Sequence, residues 1–534
     1  MNKNQLANKI WASANKMRSK IEANEYKDYI LGFIFYKFLS EQEVKFFLEK
    51  GLEKGDFARE LTEEETETVE LAHNNLGYFI PYEHLYSTWL EAKHDFSIAN
   101  VRDALSAFNR LIIPIPEKDT KDAKEQVEKT RKVFVDIFET LHSGLKNLGG
   151  TEGEQTRAVR NLLELIKDIP MNGKQDYDVL GFIYEYLISK FAANAGKKAG
   201  EFYTPHEVSV LMAEIIAYHL REKEQIDIYD PTSGSGSLLI NIGRSVVKHL
   251  GENYEVRYFA QELKRNTFNL TRMNLVMRGI TPHNIVVRNG DTLEMDWPYF
   301  EDGDPEGTYR HLLVDAVVSN PPYSQSWTPP RQGRTGIQIK IDPRFEYGIA
   351  PKSKADYAFL LHDLYHLKSD GVMAIVLPHG VLFRGESGDG SEGSIRQQLI
   401  ENNHIDTIIG LPADIFFGTG IPTIVIILAK TAGRTMCSSS MLLVALPRRG
   451  RRTNSVPQIF VASSIRISGA VASIASLVWC RKRKSARMAI TSIYPAISML
   501  RRIRSRGTCT PSCLGGCLAK SFSALPPTSR LSPG

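Results

Sequence analysis

The sequence predicts an α/β protein in which a helical N-terminal domain precedes a doubly wound, mainly parallel sheet of seven strands. Residues 1–170 carry apolar side chains at helical spacing, and no strand-like alternation interrupts them. From residue 226 onward, short apolar runs recur at roughly thirty-residue intervals, with helix-like segments between most of them. A third observation, the absence of acidic residues after Asp414, separates the end of the chain from both regions.

The helical domain, residues 1–170, is predicted from segments that place their apolar residues on one helical face. They are KDYILGFIFYKFLSEQEVKFFLEK, TEEETETVELAHNNL, DAKEQVEKTRKVFVDIFETLHSGL and TRAVRNLLELIKDI. The second of these begins with a pattern typical of a capped helix. We interpret this domain as a scaffold or docking domain without catalytic residues. A further amphipathic helix over residues 175–196 is expected to lead into the next domain.

The sheet domain, residues 171–430, is predicted from seven apolar runs. The runs are 226–230, 256–262, 284–291, 315–322, 371–378, 405–412 and 423–430, and one strand is predicted within each. Helix-like segments at 237–250, 265–279 and 356–368 separate several of them, and this alternation is typical of a doubly wound sheet. Such sheets bind ligands at the carboxyl ends of their strands. The candidate residues below all follow a predicted strand or precede the first one.

The last segment, residues 431–534, differs from the rest in composition. It contains seventeen Lys and Arg, all five cysteines and no Asp or Glu, so residues 1–430 carry a formal charge of about −12. One interpretation is a basic tail that binds nucleic acid or a membrane surface. The other interpretation is an atypical, non-native and disordered tail, of the kind that translation after a frameshift produces. The sequence favours this second interpretation because the segment lacks helical or strand periodicity. Cys509, Cys513 and Cys517 lack a CxxC pair and a nearby His, so no metal site is predicted.

The composition indicates a soluble protein, with 42% hydrophobic and 24% charged residues. No apolar run reaches the length of a membrane span. The N-terminus also lacks the uninterrupted apolar core of a signal peptide. The predicted location is therefore the cytoplasm, without a membrane partner.

A turn rich in small residues, Asp230-Pro-Thr-Ser-Gly-Ser-Gly236, follows the first predicted strand. Small residues let the backbone approach a ligand closely, and the next helix presents its N-terminus there. The turn departs from the dinucleotide fingerprint GxGxxG because Leu239 occupies the third glycine position. A cofactor without a pyrophosphate does not need that glycine, although a tight turn without a ligand is the alternative.

Two carboxylates follow the next two predicted strands. Glu262 ends the second strand, where an acidic residue in nucleoside-binding folds accepts hydrogen bonds from ribose hydroxyls. Asp291 follows the third strand and can accept a hydrogen bond from an exocyclic amine such as that of adenine. The alternatives are a solvated charge for Glu262 and an Asx turn for Asp291. Together with the glycine-containing turn, the two carboxylates indicate a nucleoside pocket.

The most specific motif is Asn320-Pro321-Pro322-Tyr323, directly after the fourth predicted strand. Asn320 can offer its side-chain oxygen to an NH₂ group, and the Pro321 carbonyl is a second acceptor in a fixed direction. Tyr323 offers a ring face for stacking a flat base. Two acceptors aimed at a planar amine restore electron density on a nitrogen whose lone pair is conjugated into its ring. The motif therefore predicts activation of an exocyclic amine as a nucleophile.

The order of these motifs resembles that of S-adenosylmethionine-dependent amino methyltransferases of DNA. Further segments resemble the modification subunit of type I restriction–modification systems over residues 1–430. They are EYKDYILGFIFYKFLS, Gly200-Glu-Phe-Tyr-Thr-Pro205, DPRFEYGIAPKSKADYAFLLH, LPHGVLFRG and FFGTGIPTIVIIL. The resemblance implies a Rossmann-like methyltransferase domain that methylates adenine N6 in DNA. After Lys430, the C-terminal region expected of this family is not recognisable.

The resemblance also implies the cofactor site. The implied cofactor-binding residues are Glu201, Phe202, Tyr203, Thr204, Pro205, His206, Asp230, Ser233, Gly234, Ser235, Gly236, Glu262 and Asp291. Residues 201–205 would hold the methionine end of S-adenosylmethionine, residues 233–236 its middle, Glu262 its ribose and Asp291 its adenine. His206 stands where many members carry Arg. The implied partners are double-stranded DNA with the target adenine flipped out, a specificity subunit, a second modification subunit and a restriction subunit.

Other chemistries remain open at this point. The same turn suits N4 of cytosine in DNA and the carboxamide of a protein glutamine, and an inactive chain that only binds cofactor is a further alternative. Residues 1–430 contain no cysteine, which argues against covalent C5-cytosine chemistry. The basic residues of the loop 327–354, including Arg344, are candidates for contacts to DNA phosphates or for plain solvation. Phe416 and Phe417 are candidates for a base pocket or for core packing.

Overall fold

The computed structural model describes residues 23–92, 95–116, 120–169, 171, 186, 204–250, 255–294, 311–329, 342–385, 392–412, 415–416, 420–430, 440–443, 465–467 and 470–472. The chain forms two compact units. The first combines Met1–Ala199, Ser233–Ile240 and Val256–Gly290, and the second combines Gly200–Thr232, Asn241–Glu255 and Asp291–Gly534. Of the helix predicted over 175–196, only residue 186 is described, and it is helical. Within the described ranges, no helix is both long and apolar enough to cross a membrane.

The N-terminal region is helical, as predicted. Its helices are α1 Ala23–Glu49, α2 Phe57–Glu60, α3 Thr66–Leu76, α4 Tyr86–Glu91, α5 Ile98–Arg110, α6 Lys121–Phe134, α7 Glu139–Gly144 and α8 Glu152–Ile166. Aromatic rings form much of its core. Tyr36 stacks on Trp89 with ring centroids 4.7 Å apart, and Phe108 meets Phe138 edge-on at 5.0 Å. Such pairs add specific ring geometry to the apolar burial that holds the helices together.

A buried carboxyl group lies within this helical core. Glu43 of α1 is fully buried, and its two oxygens lie 2.9 and 3.1 Å from the backbone nitrogen of Ile80, which donates to them. Burial raises the pKa of Glu43 well above its ordinary value because the charged form loses its hydration. The group thus ties α1 to the segment that follows α3.

The rest of the chain alternates helices and strands. The elements are α9 His206–His219, β1 Gln225–Asp230, α10 Ser237–Leu250, β2 Glu255–Glu262, α11 Arg265–Met277, β3 Ile285–Asn289, β4 Val314–Ser319, α12 Asp356–Tyr365, β5 Leu367–Pro378, α13 Glu392–Glu401, β6 Ile405–Gly410, β7 Thr423–Ala429, β8 Ser440–Leu443, β9 Ile465–Ile467 and β10 Ala470–Ala472. All seven predicted strands are present. Each ends next to Gly, Pro or polar residues, which stop an apolar run from continuing.

In the first unit, β2 and β3 pair in parallel, with Glu262 opposite Asn289. Helix α11 of this unit carries Arg272, whose side chain is 2% exposed. The guanidinium donates to the carbonyl oxygens of Lys132, Val133 and Val135 at the end of α6, at 2.9, 3.3 and 2.8 Å. Burial lowers the pKa of Arg272 to about 9. These contacts place α11 in the same compact unit as the N-terminal helices.

In the second unit, the strand order is β1–β4–β5–β7–β6–β8. Strands β1, β4 and β5 are parallel, whereas β7 is antiparallel to both of its neighbours, β5 and β6. Strand β5 begins at Leu367, four residues before the predicted strand, and the pairing of β4 with β5 shifts register between Val314 and Ala316. The predicted mainly parallel, doubly wound sheet is therefore confirmed, with an antiparallel strand near one edge.

Of the residues described beyond 430, three short segments are strands. Strand β8 pairs in parallel with β6, and β9 pairs antiparallel with β10. The other residues of the segment 431–534 lie outside the described residues, so the expectation of a non-native, disordered tail stays a prediction.

Charged residues gather where the parallel strands of the second unit begin. Asp315 of β4 is buried and accepts hydrogen bonds from Lys223 Nζ at 2.6 Å, Lys368 Nζ at 2.8 Å and the Asp227 backbone nitrogen at 3.0 Å. Burial alone raises the pKa of Asp315, but these donors hold it below its ordinary value. This paired cluster stabilises the amino ends of the strands, whereas the candidate site residues follow the carboxyl ends.

Candidate active site

Asn320 directly follows β4, and its side chain is held by two hydrogen bonds. The amide nitrogen Nδ2 donates to Thr204 Oγ1 at 2.9 Å, and the amide oxygen Oδ1 accepts from the Tyr323 hydroxyl at 2.8 Å. Both Thr204 and Asn320 are buried. Because one bond uses the donor and the other the acceptor, the two bonds together fix which way the amide points.

The rest of the turn is shaped by its two prolines. Pro321 is buried, whereas Pro322 and Tyr323 are partly exposed. The next residue, Ser324, has a backbone φ of 52°, which lies in the left-handed region that few non-glycine residues adopt. The turn is thus rigid through its prolines and ends on a strained residue.

The Tyr323 ring packs edge-on against Phe416, with ring centroids 5.9 Å apart and planes at 84°. Burial raises the pKa of Tyr323 well above its ordinary value, so the phenol stays protonated and can donate to Asn320. Phe416 is 2% exposed, so it packs in the core and orients the ring of the turn. Phe417 lies outside the described residues.

The segment before α9 supplies the partner of Asn320. Thr204 and Pro205 are buried, and the Pro205 carbonyl accepts the first helical hydrogen bonds of α9, from Val208 at 3.0 Å among others. His206 is the exposed first residue of that helix. The remaining predicted residues of this segment, Glu201, Phe202 and Tyr203, lie outside the described residues.

The glycine-containing turn is held by side chains of α11 within the first unit. Ser233 Oγ and Thr271 Oγ1 are hydrogen-bonded at 2.9 Å, and Thr271 Oγ1 lies 2.8 Å from the Gly234 carbonyl oxygen. Asn274 donates to the Ser235 carbonyl at 2.9 Å. Gly236 has a φ of 74°, and a Cβ there would meet the Thr271 methyl group at 3.3 Å. The close approach and the left-handed backbone both require glycine at this position.

Glu262, the last residue of β2, contacts the same turn. Its Oε2 accepts from the Gly234 backbone nitrogen at 3.0 Å, and its Oε1 accepts from the Lys264 backbone nitrogen at 3.0 Å. The carboxylate is therefore oriented by two backbone donors, in contrast to a solvated charge at a strand end. A carboxylate has about four acceptor positions in total.

The two remaining predicted residues belong to the second unit. Asp230, the last residue of β1, is fully buried, and its Oδ1 accepts from the Thr232 backbone nitrogen at 3.0 Å. Asp291 Oδ1 accepts from the backbone nitrogens of Leu293 at 2.9 Å and Glu294 at 3.2 Å. The Asx turn considered for Asp291 is thus present, and its contact with adenine stays a prediction.

Two family models match the chain. The N-6 DNA Methylase model matches residues 175–467, and the model of the HsdM N-terminal domain matches residues 6–141. The methylase subunit of the type I restriction enzyme MpnII from Mycoplasma pneumoniae is 34% identical over 443 residues, which cover 80% of this chain and 77% of that protein.

The chain belongs to the family of type I restriction enzyme methylase subunits.

Other members of the family are also similar. The EcoKI methylase subunit of Escherichia coli is 24% identical over 445 residues, covering 80% of this chain and 68% of that subunit. A solved structure of a type I restriction–modification methyltransferase subunit from Streptococcus thermophilus is 36% identical, with a TM-score of 0.67. That match covers 83% of this chain and 87% of the other. The predicted fold, a helical region followed by an S-adenosylmethionine-dependent methyltransferase domain, is therefore confirmed for this methylase subunit.

One residue of the methylase subunit lies elsewhere than expected. Arg344, a candidate for phosphate contact, is 6% exposed and bonded to Asp342. Its guanidinium also donates to the carbonyl oxygens of Thr292 at 3.0 Å and Leu293 at 2.9 Å. Both alternatives for Arg344, phosphate contact and plain solvation, are therefore wrong, because the buried guanidinium holds the turn that contains Asp291.

The structure also reveals partners that the sequence did not indicate. Thr204 was predicted only as a cofactor contact, yet it anchors Asn320, which is 116 residues away in the chain. Thr271 and Asn274 hold the glycine-containing turn from a helix read only as a spacer between strands. The available signal was the share of polar residues in the segment RNTFNLTRMNLVM, of which Thr267, Asn269, Thr271, Arg272 and Asn274 are buried.

Proposed function

We propose that this methylase subunit transfers a methyl group from S-adenosylmethionine to N6 of adenine in a DNA sequence chosen by a specificity subunit. The observation that carries the proposal is the geometry of Asn320. Its amide is fixed by Thr204 on the donor side and by Tyr323 on the acceptor side, at 2.9 and 2.8 Å. A preorganised acceptor is what activation of a weakly nucleophilic amine requires.

The chemistry assigns roles to three residues of the turn, Asn320, Pro321 and Tyr323. S-adenosylmethionine supplies, when bound, an activated methyl group on a sulfonium. The Asn320 amide oxygen and the Pro321 carbonyl accept the hydrogens of the adenine amine and so raise the electron density on its nitrogen. Tyr323 stacks on the base, which has to leave the duplex to reach the turn. Catalysis then rests on positioning and electrostatics, and no covalent enzyme intermediate is needed.

The residues of the glycine-containing turn fit such a cofactor. Gly234 and Gly236 have φ values of 55° and 74°, so the backbone is free of side chains where it bends. Glu262 is oriented by two backbone donors, and a carboxylate is an acceptor suited to the hydroxyls of a ribose. In this proposal residues 201–205 hold the methionine end of the cofactor and Ser233–Gly236 line its middle. His206 and Asp230 are further cofactor-binding residues. Asp291 accepts from the adenine amine of the cofactor.

The proposal includes further subunits. The family membership supports a DNA complex with a specificity subunit, a second methylase subunit and a restriction subunit. The formal charge of about −12 over residues 1–430 opposes tight binding to the DNA phosphates by this chain alone. We therefore expect the isolated subunit to bind DNA weakly, and tight, site-selective binding by the purified chain would contradict this.

The test is co-expression of the full chain with a specificity subunit of a related system, followed by methyl transfer to DNA. The expected product after nucleoside digestion is N6-methyladenine, and Asn320→Ala should abolish it. N4-methylcytosine as the product would reassign the target base. Transfer only to a glutamine of a protein such as a release factor would overturn the proposal.

A further inference from the structure

Helix α12 carries two buried carboxyl groups, Asp356 and Asp363. Both side chains are fully buried. Seven residues apart, they lie on the same face of the helix, two turns from each other. A buried carboxyl group needs hydrogen-bond partners to offset its lost hydration. Each of the two finds its partner at one end of the Asn320–Tyr323 turn.

Asp363 holds the residue that enters the turn. Ser319, the last residue of β4, is fully buried, and its hydroxyl donates to Asp363 Oδ2. Within the described part of the chain, the other oxygen, Oδ1, has no hydrogen-bond partner. Burial, with the nearby charge of Asp230, raises the pKa of Asp363 well above its ordinary value. Asp363 Oδ2 is therefore an acceptor held at Ser319, the residue that precedes Asn320.

Asp356 holds the residue that leaves the turn. Its Oδ1 accepts from the backbone nitrogen of Ser324 at 2.9 Å. Ser324 has the left-handed φ of 52°, a conformation that is unfavourable for a non-glycine residue. Such a conformation persists only when surrounding groups hold it, and the bond to Asp356 supplies that restraint.

Arg384 supports Asp356 from the other side. Its guanidinium pairs with Asp356 Oδ2 and donates to both oxygens of Glu392, at 2.8 and 3.0 Å. Both oxygens of Asp356 therefore have hydrogen-bond partners, as a buried carboxyl group needs. The start of α12 is joined to the same segment by a backbone bond from Ala355 to the Gln325 carbonyl at 2.8 Å.

We propose that Asp356 and Asp363 are positioning residues of methyl transfer, which hold the residues on either side of the Asn320–Tyr323 turn. If the two carboxyl groups only anchored α12 in the fold, any neighbouring residues could serve as their partners. Here both carboxyl groups instead contact the residues that flank the catalytic motif, Ser319 and Ser324, and one bond restrains a strained backbone. This inference rests on the proposed function of the turn.

The test compares Asp356→Ala and Asp363→Ala with Asp356→Asn and Asp363→Asn, which keep an acceptor oxygen. All are measured as full chains in complex with the specificity subunit, well below their unfolding temperatures. Both Ala variants should lose about 100-fold in kcat, since a misplacement near 1 Å has that effect, with little change in KM for S-adenosylmethionine. The Asn variants should retain most of the activity because the hydrogen bonds to the turn survive.

Leu361→Ala is the matched control, since Leu361 is a buried residue of the same helix with an apolar side chain. It should lower the unfolding temperature and leave kcat unchanged. A loss of kcat in Leu361→Ala equal to that in the two Asp→Ala variants would overturn the proposal, and so would wild-type kcat in both of those variants.

Hydrogen exchange gives a second readout that does not depend on transfer. The amide of Ser324 should exchange faster in Asp356→Ala than in wild type or Leu361→Ala, and equal rates would contradict the proposal. If the wild-type complex transfers no methyl group to DNA, the proposed function fails. The exchange measurement still decides whether Asp356 holds the turn.

Discussion

Replacing Thr204 with Val tests how the amide of Asn320 is oriented. The two side chains have nearly the same shape, but Val removes the hydroxyl oxygen that lies 2.9 Å from Asn320 Nδ2. Asn320 is only 9% exposed, so its amide donor is left in a buried environment without that acceptor. A buried donor without a partner costs about 1–3 kcal/mol. The bond from the Tyr323 hydroxyl to Oδ1 does not involve Thr204 and is kept.

If that free energy is lost from the transition state, methyl transfer should slow by about 5- to 150-fold, because each 1.4 kcal/mol changes a rate about tenfold. The assay is single-turnover transfer of a labelled methyl group to DNA by the complex with the specificity subunit. Thr204→Ser keeps the hydroxyl and should stay within about threefold of wild type, the residual effect of losing a methyl group. Equal rates for Thr204→Val and wild type would refute the reasoning that Thr204 orients the catalytic amide.

Three further predictions concern the glycine-containing turn and the helical core. Gly236→Ala should weaken S-adenosylmethionine binding in calorimetry, because a Cβ at φ 74° also meets Thr271 at 3.3 Å. The control is Gly279→Ala, which has a similar φ of 72° but no neighbour within 4 Å and should not weaken binding. Equal affinities of the two variants would contradict this prediction. Arg272→Met removes the guanidinium that donates to the carbonyl oxygens of Lys132, Val133 and Val135. It should lower the free energy of unfolding, measured in urea, by about 3 kcal/mol or more, and Arg272→Lys should lower it less. A loss below about 1 kcal/mol in Arg272→Met would contradict a stabilising role of these contacts. The pKa of Glu43 is higher in the folded state than in the unfolded state, so the native state binds a proton that the unfolded state releases. The free energy of unfolding should therefore fall as pH rises from about 4.5 through the folded pKa, by up to about 1.4 kcal/mol per pH unit. Glu43→Gln should remove that part of the slope, and unchanged slopes would show that Glu43 does not titrate as expected.

The sheet was predictable because its strands are apolar and end at residues that stop them. The runs IDIYD and TIVIILA become β1 and β7 with bounds within one residue of the prediction. The antiparallel direction of β7 was not predictable, since direction depends on the path of the chain before the strand and not on strand composition. The early start of β5 was missed because Lys368, Ser369 and Asp370 are polar, yet they belong to the strand.

The Asn320–Tyr323 motif, which we propose to be catalytic, was predictable because it is local. Asn320, Pro321 and Tyr323 are neighbours in the sequence, and their chemistry follows from residue type. The residues that position them are far away in the chain. Asp356 and Asp363 look like ordinary solvated charges of a helix, and only the fold shows that both are buried against the turn.

Arg344 is a basic residue whose burial the sequence pattern did not reveal. A basic residue in a loop rich in Pro and Gly is usually exposed, and the sequence contains nothing that marks this one as buried. Its burial arises from the carbonyl oxygens of Thr292 and Leu293, which lie 52 and 51 residues earlier in the chain. Long-range partners of this kind decide the location of a charged side chain, and a local pattern cannot reveal them.

The most direct measurement of the central claim is the identity of the methylated product and its dependence on Asn320. The full chain with a specificity subunit, labelled S-adenosylmethionine and target DNA should yield N6-methyladenine. Asn320→Ala should yield none, while it still binds the cofactor in calorimetry. Full transfer by Asn320→Ala in the competent complex, or a labelled product other than N6-methyladenine, would contradict the account.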